Sequence, residues 1–375
     1  MATITYLTRI EFGFGVLSGL GDVLADLKIT RPLVVTDAGL AKAGFVARVG
    51  AFMPGGYGLF DRTPGNPTEA AVHEALAVWR AEGCDGIVAL GGGSSIDLAK
   101  GVALLATHPG PLDQYAAVLG GVPRITAAVA PVVAIPTTAG TGSEVGRAAL
   151  LTLEDGRKLG FISPHLIPKV ALVDPELTLD LPPGLTAATG MDALSHCIET
   201  FLSPRDNPPA EAIALDGARR VMRHLRRAVE KGSDRDARRE MAMAALQGGL
   251  CFQKGLGAVH AMSHPLGGLK EPVLHHGTLN AVVMPAVLCF NADHVGDKYE
   301  RLREAMELAP GAALDDAVAA LSRDIGLPAT LSAMGVPESV LPRMAELAVL
   351  DHSTATNPRP ATAADYLALF REAYA

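Results

Sequence analysis

Asp192-x3-His196, His260-x3-His264 and the dipeptide His275-His276 put one carboxylate and five imidazoles into the second half of the chain. The segments around the two x3 pairs read as helix, where residues four apart share a face with Cβ atoms about 5–6 Å apart. One carboxylate and several imidazoles turned to a common point make the ligand set of a divalent transition metal. His260 and His264 stand in Gly257-Ala-Val-His-Ala-Met-Ser-His-Pro-Leu-Gly-Gly268, an apolar, small-residue stretch with little other use for two imidazoles. A lone histidine on an apolar face is usually a hydrogen-bonded core residue. Two paired sets with a downstream His-His, behind a phosphate-binding signature, point to a metalloenzyme instead.

The elements that must position these groups fall into two halves. A chain of 375 residues exceeds the usual size of a single core. Pro32–Thr36, Gly86–Leu90, Pro131–Ile135 and Lys169–Val173 are short apolar runs bounded by breakers, the pattern of strands buried on both faces. Helical patterns such as Leu17–Leu27 and Thr68–Ala81 lie between them, so a parallel sheet covered by helices is expected. After Leu181-Pro-Pro-Gly184 no strand pattern remains. Segments at 186–203, 209–230, 235–250, 257–268, 278–293, 297–307, 312–325, 337–347 and 362–373 all read as helix. The expected organisation is an α/β dinucleotide-binding domain over residues 1–182 and an all-α metal-binding domain over 183–375. The metal candidates lie in one half and the phosphate candidates in the other, so a site between the domains is expected.

Gly91-Gly-Gly-Ser-Ser-Ile-Asp-Leu-Ala-Lys100 directly follows the second of these strands, Gly86–Leu90, and opens a helix. Glycines at such a junction let a phosphate reach the backbone, and the helix N-terminus supplies free N–H groups and a positive dipole. Ser94 and Ser95 add hydroxyls or a helix cap. A second small-residue loop, Pro136-Thr-Thr-Ala-Gly-Thr-Gly-Ser-Glu144, follows the next strand. Two such loops at successive strand ends suit a long ligand such as a dinucleotide. Asp37 ends another strand, where a carboxylate can accept from an adenosine ribose and repel a 2′-phosphate. Here the acidic residue precedes the glycine loop, the reverse of the usual fingerprint, so the fold is read as a Rossmann-like variant.

Composition excludes other classes. Apolar residues at 49% and charged residues at 19% describe a globular protein with ample core. No apolar stretch is long enough for a membrane span, and the N-terminus lacks the charged and apolar regions of a signal peptide. Cys84, Cys197, Cys251 and Cys289 show no CxxC spacing and read as reduced, buried thiols of a cytoplasmic protein. A formal charge of −8 without a Lys/Arg run argues against nucleic acid or anionic membrane as partner.

Taken together, GGGSSIDLAK (91–100), PTTAGTGSE (136–144), GMDALSHCIE (190–199), HAMSHPLGG (260–268) and HHGTLN (275–280) resemble the iron-containing (group III) alcohol dehydrogenases, as do Asn66-Pro67 and Thr356-Asn-Pro-Arg359. The resemblance runs from about residue 5 to 370. It implies a dehydroquinate synthase-like architecture, NAD and iron(II) as cofactors, a small alcohol or aldehyde as partner, and a homodimer or larger assembly. It assigns the metal to Asp192, His196, His260 and His276. Gly92, Gly93, Ser94, Thr137 and Thr138 look like pyrophosphate and nicotinamide contacts, Asp97 and Lys158 like residues lining the cofactor cleft, and Asp37 like the residue favouring NAD over NADP. His264 matches a histidine near the substrate, outside the ligand set. In many relatives the last ligand follows the His264 equivalent by ten residues; here His276 follows by twelve, after Leu269-Lys-Glu-Pro-Val-Leu274. This insertion leaves His275 and His276 both as ligand candidates, with the following Gly277-Thr-Leu-Asn280 favouring His276.

The expected reaction is hydride transfer between a primary alcohol or hydroxy acid and nicotinamide. The metal acts as Lewis acid on the alcohol oxygen, and His264 or a ribose hydroxyl relays the proton. The oxygen and three-nitrogen donor set suits zinc as well as iron. A metal-independent reductase of the maleylacetate type, a lyase of the dehydroquinate-synthase type and a non-enzymatic binding module are the competing readings. The complete ligand set, the poorly basic surroundings of 254–276 and the pairing of metal and cofactor sites weigh against them in turn.

Overall fold

The computed structural model describes Ile4 and residues 8–375. Residues 8–138 and 143–178 belong to one compact unit, and residues 139–142 and 179–375 to a second. The first unit contains strands β1 (Arg9–Phe12), β2 (Pro32–Val35), β3 (Gly58–Phe60), β4 (Gly86–Gly91), β5 (Val132–Pro136), β6 (Ala148–Thr152), β7 (Lys158–Ile162) and β8 (Val170–Val173). Its helices are α1 (Leu20–Asp26), α2 (Ala38–Lys42), α3 (Phe45–Gly50), α4 (Glu69–Ala81) and α5 (Gly93–Thr107). Six strands form one sheet in the order β1-β8-β5-β4-β2-β3, every pairing parallel.

The four strands expected from continuous apolar runs, β2, β4, β5 and β8, are the inner strands and are buried throughout. Successive side chains alternate between faces. Leu33, Val35, Ile87, Ala89, Val132 and Ala134 therefore join one core, while Val34, Val88, Leu90, Val133, Ile135 and Leu172 join the other. The sequence reading omits β1 and β3. Arg-Ile-Glu-Phe is partly exposed at one edge and Gly-Leu-Phe is three residues long at the other, so neither carries a buried-strand pattern. It also omits the antiparallel hairpin β6–β7, which forms a separate sheet. Cys84, Cys197 and Cys251 are buried as expected, but Cys289 is exposed, because its helix turns that one position outward.

The second unit is helical: α6 (Pro183–Leu202), α7 (Pro208–Glu230), α8 (Arg235–Cys251), α9 (Ala258–Gly267), α10 (His276–Asn291), α11 (Lys298–Ala305), α12 (Leu314–Asp324), α13 (Leu341–Leu350) and α14 (Ala363–Tyr374). Every residue of α6 from Thr186 to Leu202 is buried. Helices α7, α8 and α10 pack around it. Gly277 allows the start of α10 to approach α6, since a Cβ there would lie 2.1 Å from the Ala188 carbonyl oxygen. Among the described residues no helix is long and apolar enough to cross a membrane.

Candidate metal centre and cofactor loops

Asp192, His196 and Glu199 lie on α6 at spacings of four and three residues, so they share one face. His260 and His264 lie on α9, and His276 and Asn280 on α10, each pair one helical turn apart. The three helices bring the imidazole Nε2 atoms of His196, His260 and His276 to 3.7, 3.8 and 3.6 Å from a single oxygen, Asp192 Oδ1. These separations are too long for hydrogen bonds. They match the spacing of donor atoms sharing one ion at about 2.0–2.2 Å from each. Asp192 and His260 are 2% and 1% exposed, so water does not solvate this carboxylate freely.

The donor set fits a cation. Burial lowers the His196 pKa to about 4, which keeps the imidazole neutral and its lone pair available. For His260 burial pulls the same way but is outweighed by the Glu199 carboxylate, and the net shift is upward. Glu199 Oε2 lies 2.5 Å from His260 Nδ1, while Oε1 accepts from the backbone N–H of Val259 at 2.7 Å. A proton held on Nδ1 leaves Nε2 as the lone-pair donor facing Asp192. Asn280 Nδ2 donates to Asp192 Oδ1 at 2.8 Å and lies 3.3 and 3.2 Å from the Nε2 atoms of His260 and His276. Its own Oδ1 is buried without a partner. Two amide protons cannot serve all these acceptors, so the cluster has more lone pairs than donors, as a cation site requires.

His276 opens α10, whereas His275 precedes it in extended conformation and is exposed. The Leu269–Leu274 stretch that precedes them lies between the end of α9 and the start of α10. His264 stacks on His276 with ring centroids 5.5 Å apart, and its Nδ1 lies 2.8 Å from Asp351 Oδ2, just beyond α13. Burial would raise the Asp351 pKa, but His264 and His352 hold it well below the usual carboxylate range.

Two pieces of the late Thr356-Asn-Pro-Arg359 motif support α9 and α10. Asn357 Oδ1 accepts from the N–H of Ala258 at the start of α9 and from Asn291 Nδ2, and Arg359 donates to the Phe290 carbonyl. Sequence reasoning missed Glu199, Asn280, Asp351 and Asn357. The first two were within reach of the spacing rule already applied to their histidine neighbours. The last two come from distant segments: no local pattern marks Asp351, and Asn357 was visible only as part of the Thr356-Asn-Pro-Arg359 motif, without its role.

In the sheet unit, Gly91 has φ +148° and any Cβ there would meet Ser95 Oγ at 2.6 Å, so only glycine fits the strand-to-helix turn. Gly92 caps α5 and faces Thr138, whose side chain a Cβ at Gly92 would meet at 3.3 Å. Gly93 and Ser94 form the first turn of α5, where backbone N–H groups lack helical partners. The Ser94 hydroxyl already donates to the Gly65 carbonyl at 2.5 Å, so its backbone is the part left to meet a ligand. Thr137 is buried, and its N–H donates to the Gly91 carbonyl, which ties the two loops together. Both oxygens of Asp97 are occupied, by Ser143 Oγ at 2.5 Å and the Leu150 N–H at 2.9 Å. Asp97 therefore shapes the loop from behind. The fully buried Lys100 does the same, donating to the carbonyls of Ser143, Gly146 and Ala148. Lys158 lies on β7 and reaches Asn66 Oδ1 at 3.4 Å. Asp37 caps α2, accepting from the Leu40 N–H at 3.0 Å.

Two family models match in succession: iron-containing alcohol dehydrogenase over residues 8–175, and the C-terminal region of the Fe-containing alcohol dehydrogenase family over 186–374. The chain belongs to the iron-containing alcohol dehydrogenase family. It is 56% identical to a 4-hydroxybutyrate dehydrogenase of Cupriavidus necator, with 98% of each chain covered. Identity to a 1,3-propanediol dehydrogenase of Klebsiella pneumoniae is 39%, covering 97% of this chain and 96% of that one. A crystal structure of a 1,3-propanediol oxidoreductase superposes over 100% of both chains with a TM-score of 0.94 at 39% identity. Family membership makes the chain an oxidoreductase acting on CH–OH groups.

Proposed function

We propose that this enzyme interconverts a short ω-hydroxy acid of the 4-hydroxybutyrate class and its semialdehyde, with NAD as hydride carrier and one iron(II) ion. The reading rests on the convergence of three imidazole Nε2 atoms on one buried oxygen of Asp192. The substrate class rests on the 56% identity to the Cupriavidus necator enzyme. Asp192, His196, His260 and His276 hold the ion, which supplies Lewis-acid polarisation of the alcohol or carbonyl oxygen. Glu199 fixes the tautomer of His260. His264, held by Asp351, is placed to take the proton the alcohol loses.

The backbone N–H groups of Gly92, Gly93 and Ser94 at the start of α5 receive the pyrophosphate, with Thr137 and Thr138 beside them. Asp97 and Lys158 hold the surrounding loop. Asp37 receives the adenosine ribose and excludes a 2′-phosphate. Four free cysteines and the family resemblance support a cytoplasmic enzyme acting as a homodimer or larger assembly.

The test combines metal analysis with NADH absorbance. Chelation should abolish oxidation of 4-hydroxybutyrate while fluorescence-detected NADH binding persists, and iron(II) should restore turnover. Full activity in a rigorously metal-free preparation would overturn the metal assignment. A preference for 1,3-propanediol over 4-hydroxybutyrate would overturn the substrate class.

A further inference from the structure

Helix α6 carries Asp192 and His196, and it ends at Leu202. The last carbonyls of a helix have no partner within it. Here those of Thr200, Phe201 and the capping Ser203 accept from one side chain, Lys254 Nζ, at 2.9, 3.2 and 2.8 Å. The same nitrogen lies 2.8 Å from Glu211 Oε1, in the first turn of α7. An ammonium has three protons and no lone pair, so these oxygens engage it fully. Lys254 is buried, and a cation at a helix C-terminus also meets the negative end of the helix dipole.

Lys254 closes the short 3-10 segment Phe252–Lys254, and His260 follows six residues later. The chain between them is held closely. Gly255 has φ +122°, and a Cβ there would lie 2.6 Å from the Thr356 side chain. The Leu256 carbonyl accepts from the Thr356 hydroxyl at 2.6 Å. A Cβ at Gly257 would meet Asn357 Oδ1 at 2.8 Å. The Val259 N–H and His260 Nδ1 then meet the two oxygens of Glu199. Residues 254–260 are therefore fastened to α6 at both ends, by Lys254 on the carbonyls of its last turn and by Glu199 on Val259 and His260. The position of His260 Nε2, 3.8 Å from Asp192 Oδ1, depends on both fastenings.

We infer that Lys254 is a positioning residue of the metal centre: its ammonium fixes the register between α6 and the turn that leads to His260. The inference rests on the ligand set proposed above and concerns how that set is held. Lys298 supplies the contrast. From the first turn of α11 it donates to the Phe201 and Ser203 carbonyls at 2.8 and 3.1 Å and lies 3.2 Å from Glu211 Oε1. It caps the same helix end, but the helix that bears it carries none of the proposed ligands. Were capping of α6 the whole role, both lysines would matter alike to the metal. Loss of Lys254 alone frees the start of the segment that delivers His260, and metal donors must stand within about 0.2 Å of their proper distances.

The test measures zinc and iron(II) binding to metal-stripped enzyme by competition with a chromogenic chelator, on variants whose folding is checked by circular dichroism. Lys254→Met removes the ammonium and keeps an unbranched chain. It should weaken metal binding about 10-fold or more, as loss of groups that orient ligands does. Lys254→Gln, which keeps an amide donor, should fall between it and wild type. Lys298→Met should lower the melting temperature yet leave metal affinity within about twofold of wild type. The visible spectrum of the cobalt(II)-loaded protein reports ligand geometry, and it should change in Lys254→Met but not in Lys298→Met. Unaltered metal affinity in whichever Lys254 variant folds, or an equal loss in Lys298→Met, would overturn the positioning role. Metal binding retained by Asp192→Ala would instead remove the ligand set itself, and this inference with it.

Discussion

Glutamate 199 offers the sharpest test of how the metal ligands are prepared. Its two oxygens serve two donors at once, the Val259 N–H at 2.7 Å and His260 Nδ1 at 2.5 Å. Replacing Glu199 with Gln leaves the volume almost unchanged but supplies one acceptor where two are needed. If the amide oxygen stays on Val259, the amide NH2 faces Nδ1. The imidazole must then carry its proton on Nε2, the atom turned toward Asp192, and that tautomer cannot ligate. If the amide turns over, two donors face each other at the buried start of α9, at a cost of about 1–3 kcal/mol. Loss of a carboxylate behind a metal-ligating histidine typically weakens metal binding about 10–100-fold. That range equals about 1.4–2.8 kcal/mol. The assay is competition for iron(II) or zinc against a chromogenic chelator, with NADH binding followed in parallel. The expected result is weaker metal binding, unchanged NADH affinity and activity recovered at high metal concentration. Metal affinity within about twofold of wild type would refute the tautomer argument.

Three further outcomes follow from other parts of the molecule. His276→Ala should lose metal and activity together, whereas His275→Ala should retain the metal and alter mainly substrate affinity or rate; metal analysis of both variants decides, and the reverse pattern would mean the insertion shifted the ligand register. Asp37→Ser should raise NADP use, because a carboxylate facing a 2′-phosphate costs on the order of 1–3 kcal/mol, about 5–150-fold in kcat/KM. Serine can still cap α2 through its hydroxyl, so a fall in thermal stability as large as that of Asp37→Gly would contradict the capping geometry. Burial raises the Glu144 pKa from 4.5 to about 7, so its contribution to stability is fully present below pH 4.5 and is lost as pH rises toward 7. Glu144→Gln should remove up to about 3 kcal/mol of that slope, measured as urea-unfolding free energy at the two ends of the window; an unaltered slope would show that the carboxyl is not buried in its charged form's disfavour.

Much of this architecture is legible in the linear chain, because it rests on local rules. Strands β2, β4, β5 and β8 announce themselves since both faces are buried and the runs are apolar throughout. The i,i+4 pairs Asp192/His196 and His260/His264 are legible because helical geometry alone puts their members on one face. Gly91 marks a turn that a Cβ would block.

What the sequence leaves open depends on the packing of segments far apart in the chain. Edge strands β1 and β3 are defined by the partners they meet rather than by their own residues. The resemblance sets Asp97 in the lining of the cofactor cleft, and only the fold shows that its oxygens accept from Ser143 Oγ and the Leu150 N–H. The trailing Gly277-Thr-Leu-Asn280 favours His276 over His275 in the sequence, whereas the opening of α10 at His276 and its close approach to α6 at Gly277 appear only in the fold. The neighbours that tune the histidines, Asp351 for His264 and Asn357 for the start of α9, lie 87 and 99 residues away in sequence. Chemistry-bearing residue types can be read from a string of letters. Which nitrogen of an imidazole carries its proton is decided by the carboxylate that the fold brings behind it.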